Sequence, residues 1–127
     1  MTKLFAVIML CAVFLTGCKT IPMPSYENQP VTNHNNQHSM QSIEKAIVRG
    51  ALSLGWIPTV VNEGLIEAKL DIRQHQLVVM IEHDTETFSI KYKDSKNLKY
   101  NGKKIHRQYA NWVTNLIRAI NVQTVAG

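Results

Sequence analysis

Six polar side chains in the second half of the chain carry the functional groups that acid–base or nucleophilic catalysis uses. They are His83, Asp84, Tyr92, Asp94, Ser95 and His106. Residue types alone do not make a catalyst, because catalysis needs these groups at fixed mutual positions in a pocket. The sequence has no Gly-x-Ser-x-Gly elbow, no His-Glu-x-x-His pair, no cysteine cluster and no phosphate-binding glycine loop. We therefore do not expect an enzyme, and a small hydrolase that uses His83 or His106 is kept as an alternative.

The spacing of the histidines does not indicate a metal site. His34 and His38 are four residues apart, but they could share a metal only on a formed helix, and their segment lacks helical periodicity. His75 and His83 fall at opposite ends of one predicted strand, too far apart for a single ion. We expect neither a metal nor a cofactor.

Residues 91–107 are unusually basic, with seven bases against one acid. The bases are Lys91, Lys93, Lys96, Lys99, Lys103, Lys104 and Arg107. We predict that the last three lie in the first turns of the C-terminal helix, where the helix dipole disfavours cations. A local preference broken without visible gain suggests a function. With Tyr92 and Tyr100 nearby, this segment predicts a shallow anion-binding surface, although a solubilising basic loop would explain the charge equally well.

The first 17 residues have the pattern of an export signal. Lys3 is followed by an uncharged apolar run from Leu4 to Leu15, then by small residues and Cys18. The run of 12 residues is shorter than the stretch of about 20 that a membrane-spanning helix needs. The sequence therefore predicts a chain anchored to a membrane. A buried helix that happens to end in a cysteine is the competing interpretation, although such a helix would normally alternate apolar and polar faces.

The residues Leu15-Thr16-Gly17-Cys18 resemble the lipobox of bacterial lipoproteins. The resemblance implies that residues 1–17 are removed and that Cys18 becomes the lipidated first residue of the mature chain. The other cysteine, Cys11, would be lost with the signal, so no internal disulfide could form. Lys19 in place of Asp after the lipidated cysteine resembles lipoproteins sent to the outer membrane, where the domain would face the periplasm.

Residues 18–38 are predicted to be the lipidated cysteine and a flexible tether. The segment contains three prolines, is rich in Asn and Gln, and shows no apolar periodicity. Such a coil would span roughly 25 Å on average and leave the orientation of the domain free. The mature side chains would number 13 basic against 9 acidic. This modest excess favours anionic lipid, cell-wall polymer or an acidic protein face as a partner, and we expect no nucleic acid.

Residues 39–127 are predicted to form one globular domain. Helical spacing of apolar residues runs from 40 to 54, with Ser39 as a suitable N-cap. A second helical stripe covers residues 105–120, and Asn101 is its expected N-cap.

Period-two alternation marks four strands between the two helices. They cover residues 56–61, 65–72, 77–83 and 87–94. Pro58 places the first of them at an edge, because proline cannot donate to a neighbouring strand. Short connections favour an antiparallel meander. The predicted fold class is therefore α+β, a two-layer sandwich in the order helix, four-stranded meander, helix, with both helices on one sheet face.

Two patterns near the C-terminus are similar to a signature of small uncharacterised lipoproteins of Gram-negative bacteria. The patterns are Ser95-x-Asn97-Leu98-x-Tyr100 and Ile105-His106-x-x-Tyr109-x-x-Trp112-Val113. The resemblance covers about residues 39–122. It implies a lipobox and an α+β domain, and it carries no catalytic residue.

These observations together predict a non-enzymatic envelope lipoprotein, a binding or assembly module attached to the membrane through its lipid. The basic surface at residues 91–107 would bind anionic lipid or cell-wall polymer. The first alternative is a protein-docking subunit of an outer-membrane or secretion assembly, which would dock through the sheet face around Val78 and Met80. The second alternative is the small hydrolase.

Overall fold

The computed structural model describes residues 19–32 and 38–126. They form an α+β fold with two helices, a five-stranded antiparallel sheet and a separate two-stranded sheet. The elements in chain order are β1 (Thr20–Pro22), β2 (Tyr26–Pro30), α1 (Met40–Ser53), β3 (Ile57–Asn62), β4 (Leu65–Ile72), β5 (His75–His83), β6 (Thr87–Lys96), β7 (Lys104–His106) and α2 (Gln108–Ala126). The predicted signal peptide, Cys18 and residues 33–37 lie outside the described residues.

Helix α1 begins where the sequence predicts. The Ser39 hydroxyl accepts the Ser42 amide at 3.1 Å, and the Ser42 hydroxyl accepts the Ser39 amide at 2.9 Å. This reciprocal pair satisfies two of the amides that a helix start leaves without partners. The buried positions follow the predicted stripe: Ile43, Ala46, Ile47, Gly50 and Ala51.

The two helices contact each other closely at Gly50. A Cβ atom on this residue would lie 2.8 Å from the backbone nitrogen of Ile120 and 3.0 Å from the backbone carbon of Ala119. Backbone atoms cannot rotate away as the end of a side chain can, so only glycine fits at this position. The absence of a side chain therefore sets the distance between α1 and α2.

The five-stranded sheet has the order β2-β6-β5-β4-β3. Strand β3 lies at one edge, as Pro58 predicts, and pairs only with β4 within this sheet. The sheet has one strand more than the predicted four, because β2 pairs with β6 from Tyr26↔Ile90 to Pro30↔Thr87. Alternate residues of the central strands enter the core, and burying each large apolar side chain contributes about 1.5–3 kcal/mol.

The N-terminal segment is part of the fold, so the prediction of a flexible tether is wrong for residues 20–30. Strand β1 pairs with β7, and β2 joins the large sheet. Four of the few apolar residues in the described part of this segment pack against the core: Ile21, Met23, Tyr26 and Val31. The folded unit therefore begins well before residue 39.

Candidate anion-binding surface

The candidate surface is built on residues 97–103, which connect β6 to β7. Leu98 is buried and holds the middle of this connection against the core. Its neighbours Asn97 and Lys99 have positive φ angles of 59° and 53°, a left-handed conformation that Asn adopts more readily than Lys. The backbone therefore curls tightly around Leu98 and leaves Lys99 exposed.

Two hydrogen bonds tie this connection to the turn between β4 and β5. The side-chain amide of Asn97 donates to the carbonyl of Gln74 at 2.6 Å, and Nδ1 of His75 donates to the carbonyl of Asn97 at 2.7 Å. Arg73, the other residue of that turn, is exposed. The bonds therefore bring Arg73 to the same end of the sheet as Lys96, the last residue of β6.

The rings of the two predicted tyrosines pack against each other with their planes tilted by 36°. The ring centroids of Tyr92 and Tyr100 are 4.2 Å apart, and the Tyr92 hydroxyl is 2.7 Å from the Ser95 hydroxyl. Burial raises the pKa of Tyr92 above its usual value. Tyr100 remains 41% exposed. A shallow cleft of about 330 Å³ is lined by Tyr92, Asp94, Ser95, Asn97, Leu98, Lys99 and Tyr100.

Asn101 shapes a turn and is not the N-cap of the C-terminal helix. Its side-chain oxygen accepts the amides of Lys103 and Lys104 at 2.9 and 2.7 Å, and its own amide donates to the Lys104 carbonyl at 3.2 Å. The turn leads directly into β7. Lys103 and Lys104 are therefore carried on a turn and a strand, and both are exposed.

Helix α2 starts at Gln108, so the prediction that Lys103, Lys104 and Arg107 lie in its opening turns is wrong. The spacing misled because Ile105 precedes Tyr109 by four residues, as on a helix, while the structure places it fully buried in β7. The unfavourable dipole inferred for Lys103 and Lys104 therefore does not apply, whereas Arg107 directly precedes the first residue of the helix.

The start of α2 is closed by a histidine. Nδ1 of His106 accepts the backbone amide of Gln108 at 3.1 Å. A ring nitrogen that accepts must be unprotonated, so His106 is neutral when it makes this bond. One of the amides that the start of this helix would otherwise offer to an anion is therefore already bonded by the protein itself.

His106 lies among positive charges. Burial lowers its pKa below the usual 6.5, and His75, Lys99, Arg107 and Lys19 lower it further through their charges. The rings of His75 and His106 are 6.1 Å apart between centroids. Residues from four segments of the chain therefore contribute positive charge around one imidazole, a convergence that sequence spacing does not reveal.

The seven predicted bases divide into two groups. Lys91 forms an ion pair with Glu82 at 3.0 Å, and Lys93 forms one with Glu67. Lys91, Lys93 and Glu82 are exposed, and Glu67 is half-buried. Among the described residues, none of the other five bases takes part in an ion pair.

We call the group without ion pairs, together with two further cations brought beside it by the fold, the basic end. It comprises Lys19, Arg73, Lys96, Lys99, Lys103, Lys104 and Arg107. Lys103 and Lys104 lie beside Met23 and Pro22, at the other end of the β1–β7 pair from Lys19. Lys19 joins because its carbonyl accepts the Arg107 amide at 3.1 Å, and Arg73 joins through the β4–β5 turn. Sequence reasoning missed both cations, because they reach the site only through strand pairing and a turn. Two acids lie near the basic end, Asp94 and Asp71, and the latter pairs with Lys69 at 3.8 Å.

The opposite end of the sheet carries acids in its turns and near the end of β5, and we call it the acidic end. It comprises Glu63, Glu82, Asp84 and Glu86. Strand β5 runs from one end to the other over 9 residues, a length of about 25 Å at about 3.3 Å per residue. The amides of Thr87 and Glu86 donate to the Asp84 carboxylate and lower its pKa. The domain is thus electrically asymmetric along its strands.

The histidines considered for catalysis bond to the backbone. Besides His106, Nδ1 of His83 contacts the carbonyl of Asp84 at 3.3 Å. His75 and His83 lie at opposite ends of β5, as predicted. Within residues 19–32 and 38–126, no group of three or more His, Cys, Asp or Glu side chains is placed to hold a metal ion.

Comparisons of the chain with known proteins found no relative. No protein-family model matches the chain, and no curated protein or solved structure matches it. Neither helix of the described part of the chain is long and apolar enough to cross a membrane.

Proposed function

We propose that this chain is a bacterial lipoprotein, held on an envelope membrane by acylated Cys18, whose basic end binds an anionic component of the envelope. The observation that carries the binding proposal is the set of seven cations on the β6–β7 connection and on the segments that bond to it, none of them in an ion pair within the described residues. Lysine and arginine are the usual protein donors to phosphate and carboxylate groups. The lipobox residues 15–18 support the anchor.

The proposed role is binding or assembly, without catalysis and without a cofactor. The ring nitrogen Nδ1 of His106 accepts a backbone amide, which favours a structural role for that ring. Lys19 after the acylated cysteine supports the outer membrane, with the domain in the periplasm. The sequence offers no reason to invoke nucleic acid as a partner.

The anchor is tested by metabolic labelling in a Gram-negative host. The wild-type chain should incorporate radioactive palmitate and should begin at Cys18 by mass spectrometry. A Cys18→Ala variant should lose the label and keep its signal segment. A wild-type chain that still begins at Met1 and carries no acyl group contradicts the lipoprotein proposal.

The binding surface is tested by letting the acylated full chain distribute from detergent between phosphatidylcholine vesicles and vesicles that also contain phosphatidylglycerol, and capture is the preference for the anionic vesicles. We expect a variant with four charge reversals to be captured about tenfold more weakly, or more weakly still, since a basic residue near an anionic membrane contributes about 1 kcal/mol of binding free energy. The four changes are Lys99→Glu, Lys103→Glu, Lys104→Glu and Arg107→Glu. Capture by the wild type should also fall as salt is raised.

A matched control reverses two exposed charges elsewhere, with Lys45→Glu and Arg49→Glu on α1. This pair should be compared with the double reversal Lys99→Glu and Lys104→Glu, which changes the net charge equally. Equal losses in the two double variants would show that net charge alone governs capture and would remove the basic end as a site.

The alternative of a protein-docking subunit is favoured by the other sheet face. We infer that both helices cover one face of the large sheet and leave Val78 and Met80 on the open one. The edge strand β3 adds Ile57 and Val61, which are 60% and 52% exposed. Co-purification of one envelope protein that survives high salt and is lost on Met80→Asp would support docking over the basic end.

A further inference from the structure

The first described residue, Lys19, joins the folded domain at the basic end. The Lys19 carbonyl accepts the Arg107 amide at 3.1 Å, and β1 then pairs with β7 from Thr20↔His106 to Pro22↔Lys104. Ile21 packs against the core. The residue that follows Cys18 in the sequence is therefore held by the fold, and consecutive Cα atoms are only about 3.8 Å apart.

The clustered positive and negative charges of the domain lie at opposite ends of strand β5. The basic end carries Lys19 itself, whereas the acidic end lies about 25 Å away along β5. That separation exceeds a Debye length of about 8–10 Å in physiological salt. The acids at Glu63, Asp84 and Glu86 therefore do little to cancel the positive potential that a surface close to Lys19 would experience.

We propose that the domain lies with its basic end on the membrane that holds its own anchor, with lysine and arginine side chains contacting the phosphates of anionic phospholipids. This inference rests on the proposed function, since it needs the acyl group on Cys18. The proposal gives the domain a fixed orientation in place of a free one, because the residue that follows the anchor lies at the same end of the domain as the cations.

The geometry favours phospholipid over cell-wall polymer as the occupant of the basic end. A surface beside the anchor faces the bilayer, and the surface that extends toward the cell wall is then the acidic end, which would repel an anionic polymer. Tyr100 adds a half-exposed aromatic ring at the basic end, a side chain that is enriched where membrane meets water. An acyl anchor combined with a basic patch is also a common way to fix a protein on a bilayer.

The test measures which end of the domain is near the lipid head groups. The acylated full chain is reconstituted into vesicles of phosphatidylcholine with phosphatidylglycerol, with a nitroxide quencher on the head groups. A single fluorophore is placed on Gln74→Cys in the β4–β5 turn or on Thr85→Cys in the β5–β6 turn. Both positions are exposed and uncharged, so the two labels leave the charge of each end unchanged.

We expect the label at position 74 to be quenched several times more strongly than the label at position 85. The difference should shrink when Lys99, Lys103, Lys104 and Arg107 are reversed to Glu, and it should persist in the Lys45→Glu, Arg49→Glu control. Equal quenching of both labels on protein that floats with the vesicles would overturn the orientation while leaving the lipid anchor intact. Loss of quenching at position 74 when purified cell-wall sacculi are added would also overturn it, in favour of the polymer.

Failure of the proposed function gives a different result. A chain without an acyl group would not float with phosphatidylcholine vesicles, whichever position carries the label. That outcome removes both the anchor and the orientation, whereas equal quenching of floating protein removes only the orientation.

Discussion

At the scale of single residues, His106 links the charge of the basic end to the stability of the domain. Its neutral ring accepts the Gln108 amide, and its pKa lies below 6.5 because of burial and the charges of His75, Lys99, Arg107 and Lys19. Protonation would break that hydrogen bond and add a positive charge at a helix start. The unfolded chain has the ordinary pKa and so binds more protons over the interval between the two values.

The sign of the pH effect follows from that difference. The stabilisation is fully present above the unfolded pKa of about 6.5 and is lost as pH falls toward the lower folded pKa. We expect the free energy of unfolding in urea to decrease between about pH 7 and pH 5. His106→Asn keeps a side-chain acceptor for the amide and removes the titrating ring, so its stability should depend less on pH than that of the wild type.

A control removes a histidine at the other helix. His38→Gln changes a ring that contacts Ser42 near the start of α1, and this variant should keep the wild-type dependence attributed to His106. Parallel curves for the wild type and His106→Asn would show that the ring at position 106 does not contribute to the pH dependence.

The sequence could identify some residues of the candidate surface and not others. Lys96, Lys99, Lys103, Lys104 and Arg107 cluster in sequence, so composition alone revealed them. Lys19 and Arg73 are far from that cluster along the chain and reach it through strand pairing and a turn. The pairing of Lys91 and Lys93 with acids depends on the order of the strands in the sheet, and no local pattern reports it.

At the scale of elements, long periodic segments were predictable and short ones were not. Helix α1 and strands β4 to β6 have enough residues for a period to show. Strands β1 and β7 have three residues each, too few to display alternation. The segment around them is poor in apolar residues, so it has the composition of a linker although Ile21 and Met23 pack on the core.

Gly50 supports an element-scale prediction about the contact between the helices. Gly50→Ala should gain about 1 kcal/mol of helix propensity, but its Cβ would lie 2.8 Å from a backbone atom of Ile120. Overpacking of this kind costs about 1–3 kcal/mol, and separating the helices would loosen the core below them. We expect a net loss in the free energy of unfolding, measured by urea denaturation.

The matched control for this variant is Gln41→Ala on the exposed side of α1. It raises helix propensity without a new contact, so its stability should equal or exceed that of the wild type. If Gly50→Ala were as stable as Gln41→Ala, the two helices could separate without cost, and the close approach at Gly50 would not limit their packing.

At the scale of the whole molecule, the short connection from Cys18 to Lys19 and the cations of the basic end should each contribute to the orientation of the domain, and the two contributions can be tested separately. Inserting a flexible Gly/Ser segment between Cys18 and Lys19 leaves both the proposed acyl group and the basic end in place, but it disconnects them mechanically. In phosphatidylcholine vesicles, where the cations have no anionic lipid to bind, quenching of the labels at positions 74 and 85 should become nearly equal.

In vesicles that contain phosphatidylglycerol, the same insertion should preserve stronger quenching at position 74, because the cations can still bind phosphate at the end of a longer tether. High salt should then remove the remaining difference by screening. If the insertion abolished the difference in both kinds of vesicle, the short connection alone would orient the domain. If it changed nothing in phosphatidylcholine, the hydrogen bond between Lys19 and Arg107 would not transmit orientation from anchor to fold, and the charges would act alone.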